Sequence, residues 1–418
     1  MTQCIGIRTM VPKLLLLTDV APGLNKVGRI YLRDLCLVYP HNRICCFHTD
    51  LFPEKDKSPG LDWLPLEYGK KPLENGVRNR YGHNADLLSR FFIERFYVEL
   101  ARIPKLVKQA VKFGKTHKVD MVWATLGSPT IIRMAKTVAD TLNIPLITTV
   151  WDPPGYKIGQ QFRPDRYTLA KLLMTFDDTI KSSVRCGVAS DSMKFQYKRN
   201  YGTDCVVMIY GAPPLITANS HKKPLKGDRL VIGFAGSFYA RDEWKALLGA
   251  LESRNWRVAG RQVVLKVLSN HLDEHTSLLP QIEFLGWRDP AVTVHLLSQM
   301  DVAYLPYWLD GAYQEAVQLS FPGKLATYIA ARLPVLFHGP HESSPMHFFE
   351  RFPVGLGCHS LDHNKIIQSL EKLVTDINHY NRAKLACDEA YHQELSFSIF
   401  KKRFAELIGV RESELIPQ

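Results

Sequence analysis

The 418 residues are too many for one ordinary hydrophobic core and suit two domains. The composition, 46% hydrophobic, 11% aromatic and 22% charged, is that of a globular chain, and no apolar run approaches the roughly 18 residues of a spanning helix. A net charge of +12 favours an acidic partner: nucleic acid, anionic lipid or a phosphorylated ligand. Eight cysteines, none in a CxxC spacing, argue against zinc and a disulfide framework and suit reduced thiols in a cytoplasmic protein.

In chain order, residues 13–19 read as a strand rather than a signal peptide, because "VPKLLLLTDV" is short and runs into "TDVAPG". A Gly/Pro loop follows, then a helix from about Arg29 to Val38, then the strand "RICCFH". Residues 51–84 are turn-rich. From Asn84 to Lys118 apolar residues recur at helical spacing, with a break expected near Pro104. "VDMVWAT" is a strand, Ile131–Leu142 a helix, and "PLITTVWDPPGY" a strand entering a Pro-rich loop. "CGVASD" and "CVVMIYGAPP" close the first half. The polar, aperiodic stretch 215–228 reads as a linker between domains. The alternation then restarts: "RLVIGFAGSF", a helix at Glu243–Leu251, "QVVLKVLSN", "IEFLGW", a helix at Val292–Gln299, "DVAYLPY", and "SFPGKLATYIAARLPVLFHGP". A helical region fills the chain from about 363. Alternation throughout predicts an α/β fold with parallel, doubly wound, Rossmann-like sheets.

Parallel sheets bind ligands beyond the C-terminal ends of their strands. In the second half those loops carry Gly236-Ser237, Asp310, His338 and the helix entrance Pro322-Gly323-Lys324. Free N–H groups at a helix start favour an anion, glycine allows close approach, and Lys324 adds a charge. Arg241, just past the Gly236 turn, offers a second cation, so the set suits a diphosphate. In the first half, Asp152 ends a strand where it can orient or deprotonate a hydroxyl, or cap local N–H groups. Gly28 and Arg29 open the first helix, as a phosphate contact or simply a helix start.

"GFAGSFYARDEWKALLGAL", "IEFLGWRDPAVTVHLLSQMDVAYLPY" and "FPGKLATYIAARLPVLFHGP" follow one another over about residues 230–340. In this order they resemble the donor domain of the retaining GT-B glycosyltransferases, the superfamily that builds bacterial surface polysaccharides. "DMVWATLGSPT" and "IPLITTVWDPP" resemble its acceptor-domain segments. The resemblance implies two Rossmann-like domains facing across a cleft: an acceptor-binding domain at 1–214, the linker, a sugar-nucleotide domain at 229–385, and a helical segment at 386–418 packing back toward the first domain. It implies transfer of a hexose from a UDP-, GDP- or dTDP-sugar to an acceptor hydroxyl of a lipid-linked or growing surface glycan such as lipopolysaccharide. Retention, no metal and no separate cofactor are part of that expectation. Arg241 and Lys324 would stabilise the leaving diphosphate, with Asp152 on the acceptor side beside Gly28 and Arg29. Gly236, Ser237, Pro322, Gly323, Thr327, Lys245, Glu315 and His338 would line the donor site.

The sequence departs from the family pattern at one point. Relatives often carry two glutamates eight residues apart, the second binding the nucleotide ribose; here those positions hold Leu319 and Thr327. A threonine can hydrogen-bond a ribose but forms no charge-assisted pair. A catalytically impaired binding subunit is therefore one alternative, and a sugar-nucleotide epimerase on the same fold another. A nucleic-acid binder is disfavoured, since no reader motif accompanies the charge. Between 70 and 118 stand twelve Lys/Arg against four Asp/Glu, with aromatics interleaved. This basic region, 78–118 above all, suits peripheral contact with an anionic membrane on its cytoplasmic face.

Overall fold

The computed structural model describes residues 11–24, 27–50, 60–72, 92–162, 164–213, 227–272, 276 and 279–417. The chain forms two compact units, one of Met1–Met208 with Lys401–Gln418, the other of Ile209–Phe400.

In the first unit the strands are β1 (Leu14–Thr18), β2 (Ile44–His48), β3 (Leu66–Tyr68), β4 (Met121–Thr125), β5 (Leu146–Val150), β6 (Arg185–Val188) and β7 (Asp204–Val207). They pair in the order β3-β2-β1-β4-β5-β6-β7, every pair parallel. The central strands β1, β4 and β5 are buried along their whole length, which is why they read as unbroken apolar or hydroxyl-bearing runs rather than alternating ones. Helices α1 (Val27–Val38), α2 (Ile103–His117), α3 (Pro129–Leu142), α4 (Arg166–Ser182) and α5 (Asp191–Tyr201) provide the crossovers. The starts of α3, α4 and α5 are capped by Ser128, Asp165 and Ser190, whose side chains accept otherwise orphaned N–H groups.

The second unit holds β8 (Arg229–Ala235), the short β9 (Arg257–Val258), β10 (Arg261–Leu268), β11 (Ile282–Phe284), β12 (Val302–Pro306), β13 (Val335–His338) and β14 (Gly355–Cys358). Its sheet runs β11-β10-β8-β12-β13-β14, parallel except for β9, which pairs antiparallel with β10. Its helices are α6 (Arg241–Ser253), α7 (Pro290–Ser298), α8 (Gln314–Leu319), α9 (Gly323–Ala330), α10 (Ser344–Arg351), α11 (His363–Thr375) and α12 (Ile377–Ala390). Leu247 and Leu251 of α6 and Leu370 and Val374 of α11 bury against Phe234, Val263 and Leu265 of the sheet. Both sheets thus place their first strand centrally and wind outward from it in both directions, the doubly wound α/β fold predicted from the alternation of elements.

Three local expectations need correction. The turn-rich stretch after residue 51 contains β3, too short at three residues to leave a periodic signal. Pro104 does not break its helix. It is the second residue of α2, directly after the π-helical turns of Ile93–Arg102, where the Ile103 N–H reaches back to the Val98 carbonyl. The run continues through Pro104 because the hydrogen bonding changes there from the wider π to the α spacing, at the point where a proline has no N–H to give. Third, α10 and β14 occupy the interval before residue 363, their pattern masked by short length and polar residues. The expected linker at 215–228, save Gly227 and Asp228, lies outside the described residues, as do 78–91 of the basic region.

Helix α13 (Phe397–Ile408) runs from the end of the second unit into the first. Its Phe404 is fully buried, 4.9 Å from the Trp123 ring of β4 and 6.1 Å from that of Tyr39. All seven cysteines among the described residues are buried free thiols.

Candidate functional site

In the second unit the strand order reverses between β8 and β12, and the chain leaving β8 turns there at Gly236. Gly236 has φ +99°, a conformation that side-chain-bearing residues rarely adopt, and a Cβ on it would lie 3.0 Å from Lys324 Cε. The missing side chain lets the lysine pass beneath the turn. Lys324 Nζ donates to the Ser237 carbonyl at 2.5 Å and sits 4.3 Å and 4.1 Å from the ring centroids of Phe234 and Tyr239. It has no carboxylate partner among the described residues, and loss of water around it pushes its pKa well below that of an ordinary ammonium. The result is a lysine amine held against two ring faces and a backbone carbonyl, with burial working against its charge until an anion arrives.

Other contacts fix this arrangement. One turn beyond Lys324, the fully buried Tyr328 hydroxyl takes the Ala235 N–H at 3.0 Å and lies 3.2 Å from the Tyr304 carbonyl, fastening α9 to the end of β8 and the middle of β12. Trp308 donates its indole N–H to the Tyr239 carbonyl at 3.0 Å and stacks on Tyr313. The buried Glu243 carboxylate accepts the Leu309 N–H at 2.7 Å; burial raises its pKa. The loop after β12 is therefore tied to both the β8 turn and α6. Sequence reading missed this aromatic and carboxylate support. Its only linear trace is the density of aromatics in "GFAGSFYARDEW" and "YLPYWLDGAY".

The predicted residues divide. Gly236, Ser237 and Lys324 come together as described. Pro322 is the N-cap of α9 and has no side-chain cap to offer, so the Gly323 end of the helix keeps backbone N–H groups available. Arg241 is the exposed first residue of α6, with Asp242 and Glu243 beside it in the same turn. Lys245 stands on the exposed side of that helix, Glu315 in the first turn of α8, and Thr327 half-buried within α9. His338 is different. It is 0% exposed, its Nε2–H donates to the Ser360 carbonyl at 2.8 Å, and its Nδ1 lies 2.7 Å from the Tyr304 hydroxyl. With both nitrogens engaged, and its pKa lowered to about 4 by burial, it is a neutral internal strut and not a pocket-lining group.

Asp152, Gly28 and Arg29 belong to the first unit, whereas the lysine turn belongs to the second. Asp152 follows β5, is half-buried and is not without an interaction partner. Gly28 faces the Trp151 ring, where a Cβ would come within 3.1 Å, so it serves packing. Arg29 is 4% exposed and ion-paired with buried Asp50. Neither is placed as the phosphate contact suggested by a helix start; the guanidinium already has its anion inside the fold.

No family model matches the chain, and no curated protein matches it in sequence. Solved structures do match. Sucrose-phosphate synthase of Thermosynechococcus elongatus aligns at TM-score 0.66 and 14% identity, over 94% of this chain and 98% of that one. HepE of Anabaena, in complex with UDP and glucose, aligns at 0.63 and 12% over 95% and 99%. WaaG, a glycosyltransferase involved in lipopolysaccharide biosynthesis, aligns at 0.58 and 13% over 95% and 100%. Taken with the two doubly wound parallel sheets, these alignments give the chain the GT-B glycosyltransferase fold.

Proposed function

We propose that the protein is a glycosyltransferase that moves a hexose from a nucleotide sugar to an acceptor hydroxyl of a lipid-linked or growing surface glycan, with retention and without a metal. The observation that carries this reading is the position of the Lys324 amine, without a carboxylate partner among the described residues, under the Gly236 turn at the strand-order reversal where such sheets bind ligands. Cleaving a glycosyl–phosphate bond leaves negative charge on the departing diphosphate. Lys324, the open N-terminus of α9 and Arg241 are the groups of this domain suited to stabilise it. Gly236 and Gly323 allow the backbone to approach. Asp152 is the candidate for orienting the acceptor hydroxyl. The complexes of HepE with UDP and with UDP-glucose support a UDP-sugar as the first donor to try.

The test is a panel of UDP-, GDP- and dTDP-sugars scored for thermal stabilisation and slow donor hydrolysis. At least one should raise the melting temperature, and Lys324→Ala should abolish that shift and lower turnover by about 10²–10³-fold. No shift at millimolar concentration with any of them overturns the donor site. Intact activity in Lys324→Ala reduces that lysine to a helix entrance.

Thr327 favours a second reading, a binding subunit without turnover, because this helix offers a neutral hydroxyl where the glycosyltransferases the chain resembles often carry a glutamate. Donor binding without hydrolysis or transfer would select that reading.

A further inference from the structure

Residues 93–117 form one uninterrupted helical run, the π-helical turns of Ile93–Arg102 followed by α2. The run has an ordinary inward face: Val98, Ile103, Leu106, Ala110 and Val111 are buried, and α2 packs against α3. It also has a second apolar face turned to water. Phe92, Ile93, Phe96, Tyr97 and Leu100 are all exposed, Phe96 at 57% and Leu100 at 67%, and Phe92 stacks on Phe96 at 5.9 Å. Single exposed apolar residues are commonplace, but a contiguous set marks a surface that something covers.

The charges around it are one-sided. Both acids of the run are neutralised, Glu94 by Arg133 of α3 at 2.9 Å, and Glu99 by Lys171 of α4 at 2.5 Å and by Arg95 one turn back in the same run at 3.4 Å. Lys105, Lys108, Lys112 and Lys115 are exposed and make no ion pair among the described residues. Lys108 and Lys112 continue the four-residue spacing of Phe92, Phe96 and Leu100 along the helix.

We propose that this face seats the protein on an anionic phospholipid bilayer. Phe92, Phe96 and Leu100 would enter the boundary between headgroups and acyl chains, and the lysines would lie over the headgroups. No helix among the described residues is long and apolar enough to cross a membrane, so the contact is one of lying on the surface. A second copy is a poor occupant, because self-pairing would set one lysine row against another. A polyanion without an apolar layer leaves Phe96 and Leu100 in water. The inference stands on this surface alone and is independent of the proposed donor chemistry.

The test is flotation of the full chain with phosphatidylcholine vesicles made with or without phosphatidylglycerol, at low and high salt. The protein should float with the anionic vesicles alone. Lys108→Gln/Lys112→Gln should weaken binding by about 25-fold, roughly fivefold per lysine. Phe96→Ser/Leu100→Ser should remove the fraction that resists salt. These residues are exposed, so both variants should keep wild-type circular dichroism and any nucleotide-sugar thermal shift. Flotation that persists in Lys324→Ala would separate this surface from the donor site. Absence of flotation at low salt overturns the proposal, as does flotation untouched by both double variants. A dimer that Phe96→Ser/Leu100→Ser dissociates without lipid would assign the face to a second copy instead.

Discussion

Gly236 shows how much of the site turns on single atoms. Its positive φ disfavours any side chain, and a methyl group there would lie 3.0 Å from Lys324 Cε, so the lysine would have to shift. Gly236→Ala should cost about 1–3 kcal/mol in backbone strain and displace the ammonium, so the melting temperature and the nucleotide-sugar shift should fall together. Loss of one without the other would uncouple the turn from the lysine. His338 makes a different residue-scale case. Burial holds its pKa at about 4, below the ordinary 6.5, so the fold favours the neutral ring. An unfolded chain takes up that proton first as pH falls. The stability His338 contributes is therefore full above about 6.5 and is lost as pH drops toward 4, to the extent of about 3 kcal/mol. Urea unfolding across that window should show this slope, and His338→Gln should flatten it; an unchanged slope would place the titration elsewhere. The sequence displayed His338 only as a histidine after a strand. Arg29 likewise looked like a helix-entrance cation, since nothing local announces that Asp50 meets it inside the fold.

At the scale of elements, α9 was the most legible piece. Its Pro-Gly-Lys start and its amphipathic run are local patterns, and the helix forms where they predict. What locks it in place was not legible. The Tyr328 hydroxyl reaches the end of β8 and the middle of β12 across the fold. Tyr328→Phe leaves the Ala235 N–H without that acceptor and should cost about 1–3 kcal/mol. It should also weaken donor binding, because Lys324 rides on the same helix. Wild-type donor affinity in a destabilised Tyr328→Phe would show that α9 keeps its position by packing alone. The helix at 103–117 was visible from periodicity, yet its meeting with Pro104 was misjudged, because the π-helical turns that precede the proline leave no local sequence pattern.

At the scale of the molecule, each sheet winds outward from its first strand, and each core is closed by helices from distant parts of the chain. Phe404 is the clearest example: a residue near the C-terminus fills space against Trp123 and Tyr39 in the first unit. Phe404→Ala should cost about 3–5 kcal/mol, read as lost protection of β4 amides in hydrogen exchange. A loss confined to the last helix would mean that helix is only peripheral. By itself the sequence determined the alternation of strands and helices, the parallel sense of both sheets, and the glycine and lysine at the mouth of α9. Each of these is written in periodicity, turn residues or helix-start chemistry within a few positions. Only the tertiary structure decided that Lys324 lies between two aromatic rings, that His338 is sealed and neutral, that Arg29 is already paired, and that five apolar side chains at 92–100 face water. Those outcomes depend on burial and on partners far apart in the chain, which local sequence patterns do not specify.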